Sequence, residues 1–445
     1  MPLLGTRGVA SARGFGFGAA AAQTASFISN INSTTYDVRA QTSAVDSSGN
    51  MYVGFGNTSN NTLPTVVKYN TAGAVVFQKQ IAVSGVTLQN VCAVTVNNAD
   101  NLFVAVRDNN SSDSVIIVRM TTAGAVVNAY RASGTINAFN PSIAAFGSTL
   151  VIAGRDASTS GMCVFAYDTS SNTISWARRW STGSGSIYMD PVAIAESPNY
   201  YYVFGYTSTP NPFIFQFSKG GNLNWGRITS PNGFTGAGVA DSSDNSYISI
   251  PSSNGATTII KYDPSYNPLG AASPNTSKQI NVRRFAKDVN GNMYLCGQAN
   301  VGANQVTSGY MAKMTTALVV SQERSVAITN RPTTQNIIYN TGVVTNGNLF
   351  ASGYASDGAV TYSNYMSSIS VPLDGTKTGN YTVNRYPSET YTFAYQTYTE
   401  TNGWAVFSGS TTGSFGSQNS DPSTSVTSVT ASVSDVSLVV NTTLM

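Results

Sequence analysis

The fold is decided by the stretch DSSGNMYVGFG (residues 46–56), in which a polar Gly/Asn turn runs straight into a short alternating strand. Seven weaker versions of this stretch follow along the chain. Their early strand residues are Leu102, Leu150, Tyr201, Ser246, Met293, Leu349 and Ala405. A spacing of roughly fifty residues that is kept along the whole chain is the signature of a repeat architecture.

Each repeat also has a second half, in which a strand, a Gly-containing turn and another strand follow each other. The segment VVKYNTAGAVVF (66–77) shows this pattern, and it recurs as VIIVRMTTAGAVV (115–127). Short alternating runs separated by turn residues are typical of antiparallel strands, and no window shows a helical period. The pattern predicts an all-β protein with four strands per repeat, and such a sheet repeated around an axis is a β-propeller blade.

The ends of the chain predict how the ring closes. The eighth repeat starts at YTFAY (391–395) and has no fourth strand, whereas FISNI (27–31) stands where a fourth strand would stand before the first repeat. Pairing the two removes open sheet edges. We therefore expect one β-propeller over residues 25–445, with eight four-stranded blades closed by the N-terminal strand. The alternative is seven blades with a separate C-terminal piece.

Composition limits the classes of function. The 445 residues carry a net charge of only +3, which argues against a nucleic-acid-binding protein because such proteins need a dense basic face. The three cysteines fall in different repeats without a pair spacing, which favours free thiols. No run approaches the apolar length of a membrane-spanning helix, so no membrane insertion is expected.

The sequence offers few residues for catalysis or metal binding. The sequence contains no histidine, which removes Ser-His-Asp and Cys-His catalysis as well as histidine-ligated metals. The acidic stretches 241–245 and 288–292 offer oxygen ligands, but neither has the closing Glu of a calcium loop, and Asp, Asn and Gly equally suit a tight turn. We expect no catalytic residue, no metal and no cofactor, and predict that the protein is not an enzyme.

A candidate ligand face comes from one repeat position. Arg107-Asp108 and Arg155-Asp156 stand at the end of the strand that follows the Asn/Gly turn, and Tyr206 and Tyr354 occupy the same position in other repeats. If these strands end on one face, the side chains would ring it, and aromatic and hydrogen-bonding groups together suit a sugar or peptide. The other interpretation is that the Arg-Asp pairs are surface ion pairs at strand ends.

The first 24 residues stand apart from the repeats. The segment GTRGVASARGFG (5–16) resembles a short leader of structural proteins from tailed phages, especially marine cyanophages. The resemblance implies a virion protein of the tail or fibre region that contacts other tail, neck or fibre proteins through residues 1–24. A glycine-rich segment with a few anchors can order against a partner. The predicted anchors are Arg7, Arg13, Phe15 and Phe17.

These observations lead to two expectations about function. The first is a structural protein of a bacteriophage particle, with an extended N-terminal anchoring arm (1–24) and a propeller for protein–protein interaction and host attachment, through a surface glycan or protein. The alternative is a bacterial surface or secreted lectin-like propeller that binds carbohydrate, with a cleaved N-terminus.

Overall fold

The computed structural model describes most of the chain, and the following paragraphs concern those residues. They are 25–33, 38–56, 64–108, 114–133, 136–156, 161–180, 188–208, 211–229, 236–251, 257–274, 279–301, 306–328, 337–356, 364–374, 379–386, 389–397, 404–407, 411–414, 425–428, 430–435 and 439–444. These ranges contain no helix long and apolar enough to cross a membrane. Their regular elements are all β-strands.

The strands form seven antiparallel sheets, one for each blade of a β-propeller. Strand β1 (Phe27–Asn32) belongs to the last blade. Blades 1 to 3 consist of β2 (Ala40–Val45), β3 (Met51–Phe55), β4 (Thr65–Tyr69) and β5 (Val75–Val83); β6 (Leu88–Val96), β7 (Leu102–Asp108), β8 (Ser114–Met120) and β9 (Val126–Ser133); and β10 (Ile136–Phe146), β11 (Thr149–Asp156), β12 (Met162–Asp168) and β13 (Thr173–Trp180).

The remaining blades repeat this order. Blades 4 to 6 consist of β14 (Met189–Glu196), β15 (Tyr200–Thr207), β16 (Pro212–Ser218) and β17 (Leu223–Thr229); β18 (Ala237–Ala240), β19 (Ser246–Pro251), β20 (Thr257–Tyr262) and β21 (Pro268–Pro274); and β22 (Gln279–Lys287), β23 (Met293–Val301), β24 (Val306–Met314) and β25 (Val320–Ile328). Blade 7 contains β26 (Ile337–Val344), β27 (Asn348–Ser356), β28 (Asn364–Pro372) and then β1.

The predicted closure by an N-terminal strand is confirmed. Strand β1 pairs with β28 in antiparallel register, with Phe27 opposite Ser370. All six residues of β1 are buried, and the ring of Phe27 packs against Tyr69 of blade 1 and Phe350 of blade 7. The N-terminal strand therefore completes the last blade and contributes to its contact with the first.

The predicted number of eight blades is wrong, and the seven-blade alternative is confirmed. The strands of the segment expected to form an eighth blade (391–445) instead lie along the outside of the ring. Together with the strand that precedes them, we call them the belt. Its strands are β29 (Gly379–Tyr386), β30 (Glu389–Thr397), β31 (Trp404–Phe407), β32 (Thr411–Ser414), β33 (Ser425–Ser428), β34 (Ala431–Asp435) and β35 (Val439–Leu444). An alternating pattern predicts a strand but does not specify the strand with which it pairs. Most belt strands pair with the outer strand of a blade and do not form a sheet of their own.

The belt visits the blades in reverse order. Strand β30 pairs with β25 of blade 6, β31 with β21 of blade 5 and β32 with β17 of blade 4. Strands β33, β34 and β35 then pair with β9, β5 and β1. Each of these pairings is antiparallel. Among the described residues, the belt therefore adds an outer strand to every blade except blade 3.

The core lies between the blades. Seven clusters of buried apolar side chains occupy the seven contacts between neighbouring blades, including the contact that joins blade 7 to blade 1. The first strands of successive blades contact each other all the way round, from β2 to β26 and back to β2. These first strands consequently surround a central channel.

The two faces of the ring differ. The turn face carries the connections from first to second and from third to fourth strand, which are tight hairpins. In the first of them, the amide of Asp46 donates to the carbonyl oxygen of Asn50, and Gly49 has a φ of 83°. This is a three-residue loop with a left-handed residue and a bulge, which explains the Gly/Asn repeat. The loop face carries the connections from second to third strand and between blades.

Candidate binding site at the loop face

The second strands bring the predicted ligand-face residues to one face. Strands β7, β11, β15 and β27 all end at the loop face, as the repeat position predicts. They carry Arg107, Asp108, Arg155, Asp156, Tyr206 and Tyr354 at or near their last residue. For Arg107 and Asp156 the structure describes the backbone and not the side chain.

Arg155 lies at the centre of a cluster between blades 3 and 4. Its Nε and Nη2 donate to Oδ1 of Asp190 at 2.9 and 2.7 Å, and Nη2 also donates to Oδ2 at 2.7 Å. Its guanidinium carbon lies 4.3 Å from the centre of the Tyr188 ring. A guanidinium held by a carboxylate and stacked on an aromatic ring has a fixed orientation. Tyr188 is 40% exposed, so part of this residue is accessible to a ligand.

Tyr206 belongs to the same cluster. Burial raises the pKa of its hydroxyl, Asp190 raises it further, and Arg155 partly offsets the rise. The hydroxyl therefore stays protonated at neutral pH and can donate a hydrogen bond. The neighbouring residue has to be glycine, because a Cβ on Gly205 would lie 2.3 Å from the carbonyl oxygen of Asp190. This close approach of β14 to β15 places Asp190 within reach of Arg155.

Tyr354 belongs to a second cluster, formed by blades 6, 7 and 1. The guanidinium carbon of Arg39 lies 5.0 Å from the centre of the Tyr354 ring. Arg283 of β22 interacts electrostatically with Tyr354 and donates from Nη2 to Oε1 of Gln298 at 3.3 Å. Burial lowers the pKa of Arg283, and Tyr354 partly offsets this effect. The two clusters contain different blades and lie on opposite sides of the ring.

Asp108 does not join either cluster. Its carboxylate is buried and pairs with Nη2 of Arg131 at 2.9 Å, while the hydroxyl of Ser114 donates to it at 3.2 Å. Arg131 lies in β9, the fourth strand of the same blade. The structure thus places Asp108 in a bond that ties the second strand of blade 2 to its outer part, away from the channel mouth.

Sequence analysis missed four residues of the two clusters. Arg39, Tyr188, Asp190 and Arg283 lie at or just before the first strands, whereas the prediction considered only the ends of second strands. Arg283 is also the extra residue of a bulge, because Val282 pairs with Gly297 and Arg284 with Cys296. A polar side chain at the loop-face end of an otherwise apolar first strand was the available signal.

The two clusters suit recognition by hydrogen bonding and stacking. Each combines guanidinium donors with an aromatic ring, and the Arg155 cluster adds a hydroxyl donor and a carboxylate. Sugars and peptides carry groups that match such a surface. Within the described ranges, no group of three or more His, Cys, Asp or Glu side chains is arranged to hold a metal ion. The predicted anchoring residues Arg7, Arg13, Phe15 and Phe17 lie outside the described residues.

Known proteins match this chain in structure and not in sequence. No protein family matches the chain, and no curated protein sequence matches it. Solved structures do match. Virginiamycin B lyase from Staphylococcus aureus has a TM-score of 0.50 at 10% identity over 78% of this chain and 99% of its own. Hydrazine synthase from Kuenenia stuttgartiensis has a TM-score of 0.48 at 13% identity, over 72% of this chain and 96% of its own.

The Dos1 propeller matches with a TM-score of 0.44 at 10% identity, over 75% of this chain and 93% of its own. The seven sheets of the described residues make the chain a seven-bladed β-propeller, with the belt strands on the outer edges of its blades. At identities this low the likeness shows the fold alone. Activities named for similar structures accordingly do not transfer to this chain, because one fold carries many unrelated functions.

Proposed function

We propose that the protein is a non-enzymatic structural protein of a tailed phage particle, in the tail or fibre region, where residues 1–24 anchor the propeller and the loop face contacts the host surface. The leader-like segment at residues 5–16 is one support for this proposal. The other is the place at which this leader joins the propeller.

The observation that carries the proposal is the fixed position of Ala25. Its amide donates to the carbonyl oxygen of Thr71 at 2.6 Å, and Nδ2 of Asn348 donates to its carbonyl oxygen at 3.1 Å. Thr71 lies in a hairpin of the turn face, and the buried strand β1 follows two residues later. Residues 1–24 are thus joined to a rigid point on the turn face.

This arrangement places attachment to the particle and contact with the host on opposite faces of the ring. An arm attached at the turn face leaves the loop face, with its Arg155 and Tyr354 clusters, on the opposite side of the ring. In this proposal Arg7, Arg13, Phe15 and Phe17 bind neighbouring virion proteins, and the loop face presents arginine and tyrosine side chains to a glycan or protein of the host. Because β1 is a buried strand of blade 7, an arm bound to a neighbouring protein would hold the whole propeller in place.

Deletion of residues 1–24 tests the anchoring. The truncated chain keeps Ala25 and β1, so we expect a folded propeller with an unchanged unfolding temperature that is absent from purified particles. Particles from a phage that lacks the natural gene, complemented with each variant, would be assayed by quantitative mass spectrometry. Tyr188→Ala on the loop face serves as the control and should be incorporated normally. Normal incorporation of the folded, truncated protein would refute the proposal.

A further inference from the structure

A cavity in the turn-face half of the channel is lined by two carboxylates and two cations. The cavity has a volume of about 820 Å³ and is lined by residues near the turn-face ends of the first strands of blades 3 to 6. Its charged lining residues are Glu196, Asp241, Arg284 and Lys287, and Phe146 and Phe285 provide apolar walls. A cavity of this size suits a small molecule.

The two carboxylates of the cavity are already engaged. Glu196 accepts a hydrogen bond from the ammonium group of Lys219, with which it forms an ion pair. Asp241 accepts from the amides of Ser243 and Asn245 at 2.9 and 3.0 Å, and from the hydroxyl of Tyr247 at 2.8 Å. Neither carboxylate is positioned as a direct partner of Arg284 or Lys287.

Among the described residues, neither cation of the cavity forms a close ion pair. The ammonium group of Lys287 donates to the carbonyl oxygen of Ala240 at 2.8 Å, and Asp241 and Glu196 act on it only at longer range. Arg284 forms no hydrogen bond or ion pair with any described residue. Its one electrostatic neighbour is the thiol of Cys296, whose pKa burial raises to about 12, so this thiol is neutral.

Arg284 is only partly buried. Partial burial lowers the pKa of the guanidinium because it reduces the contact of the charge with water, and no carboxylate offsets this effect. A guanidinium nevertheless stays charged in proteins and presents five donors in a planar fork. A partly buried fork with unused donors is complementary to the oxygens of a carboxylate or phosphate.

We propose that this cavity binds a small anion that carries carboxylate or phosphate groups, with Arg284 as the bidentate donor and Lys287 as the second cation. The two residues lie on one strand, β22, so their spacing is fixed by the blade. The side chains of Phe146 and Phe285 form apolar parts of the other walls. This site differs from the two loop-face clusters, because it is reached from the turn-face half of the channel.

Titration calorimetry of the full chain tests the site, with citrate and inorganic phosphate as separate probes at constant ionic strength set with potassium chloride. We expect wild type to bind one equivalent of at least one probe. Arg284→Gln should weaken binding at least tenfold, and Arg284→Lys less, because it keeps the charge but loses the fork. Arg227→Gln serves as the matched control, since Arg227 lies on the fourth strand of blade 4, away from the cavity.

The outcomes separate the two ligand classes. Binding of citrate alone identifies a carboxylate site, and binding of phosphate alone identifies a phosphate site; each supports the proposal. Absence of binding by both probes to folded wild type would overturn it, as would equal binding by wild type and Arg284→Gln. Circular dichroism verifies folding of each variant. If Arg284→Gln does not fold, Lys287→Gln takes its place, with the same tenfold loss expected and the same result overturning the site.

Discussion

In three blades, an aspartate at the start of the first hairpin turn accepts a hydrogen bond from a tyrosine hydroxyl. In blade 5, burial by itself would raise the pKa of Asp241, but hydrogen bonds from Asn245, Tyr247 and backbone amides outweigh it and leave the pKa below its usual range. The stability from this carboxylate is therefore present above its unfolded pKa and lost as the pH falls through its folded pKa. The same Asp-Tyr pair recurs in blades 1 and 6, as Asp46–Tyr52 and Asp288–Tyr294.

Blade 2 shows what happens when the acid is absent. Its turn begins with Asn97, which accepts from the amides of Ala99 and Asn101 as an aspartate would, and the tyrosine is replaced by Phe103. An amide carries its own donor and needs no hydroxyl partner, whereas a carboxylate is an acceptor only. In blade 2 both positions thus differ from those of blades 1, 5 and 6, as expected if the hydroxyl serves the carboxylate.

Tyr247→Phe should destabilise the protein by about 1–2 kcal/mol, because the buried Asp241 carboxylate loses a hydrogen bond. The double variant Asp241→Asn/Tyr247→Phe reproduces the pair of blade 2 and should be more stable than Tyr247→Phe alone. Urea unfolding followed by tyrosine and tryptophan fluorescence measures both. A double variant less stable than the single one would contradict the pairing.

At the scale of the strand, glycine in the second strand lets the first strand approach closely. A Cβ on Gly205, Gly297 or Gly353 would lie 2.3, 2.0 or 1.7 Å from a carbonyl oxygen of the first strand of the same blade. In each of these blades the first strand has a bulge at this point, where one residue has no partner. The extra residue brings the backbone toward the second strand, and only a residue without a side chain fits opposite it.

Gly205→Ala should cost about 2–3 kcal/mol, because the new methyl group overlaps the backbone of Asp190 and the ring of Phe213. The shift should also separate Asp190 from Arg155. Thermal unfolding measures the cost, and a crystal structure of the variant measures the Arg155–Asp190 distance. Gly270→Ala is the control: its Cβ would meet only Leu318 Cδ1, at 3.3 Å, so little change is expected. Equal effects of the two substitutions would exclude close approach as the reason for glycine at 205.

These elements also show what sequence can predict here. The turn at 46–50 and the closing strand at 27–31 were predictable because each depends on a local pattern repeated along the chain. The Asp190–Arg155 bond could not be predicted, because it joins two blades. The only sequence signal of the bulge in β14 is the glycine at position 205 in the neighbouring strand. The belt was mistaken for a blade because alternation identifies a strand but not the edge with which it pairs.

At the scale of the whole molecule, the ring is closed twice. Strand β1 lies between β28 and β35, so the N-terminal strand is held on one side by blade 7 and on the other by the last belt strand. The belt also covers the outer edges of β5, β9, β17, β21 and β25. Exposed edges of this kind template association between molecules, so the belt both reinforces the ring and shields it.

Deletion of residues 375–445 should remove the belt and leave a folded seven-bladed ring, because β1 still pairs with β28. Amides of β5, β9, β17, β21 and β25 that donate to belt strands should exchange with deuterium at least ~10-fold faster in the truncated protein, since each loses its hydrogen-bond acceptor. Peptides from the first strands should keep their protection.

Blade 3 provides the control for the belt within the same molecule. Its outer strand, β13 (Thr173–Trp180), pairs with no belt strand among the described residues, so its exchange should be nearly the same with and without residues 375–445. Hydrogen exchange measured by mass spectrometry reads all the outer strands in one experiment. An increase in β13 as large as that in β5 would mean that the deletion loosens the whole ring, and the belt would then be needed for folding and not only for covering the edges.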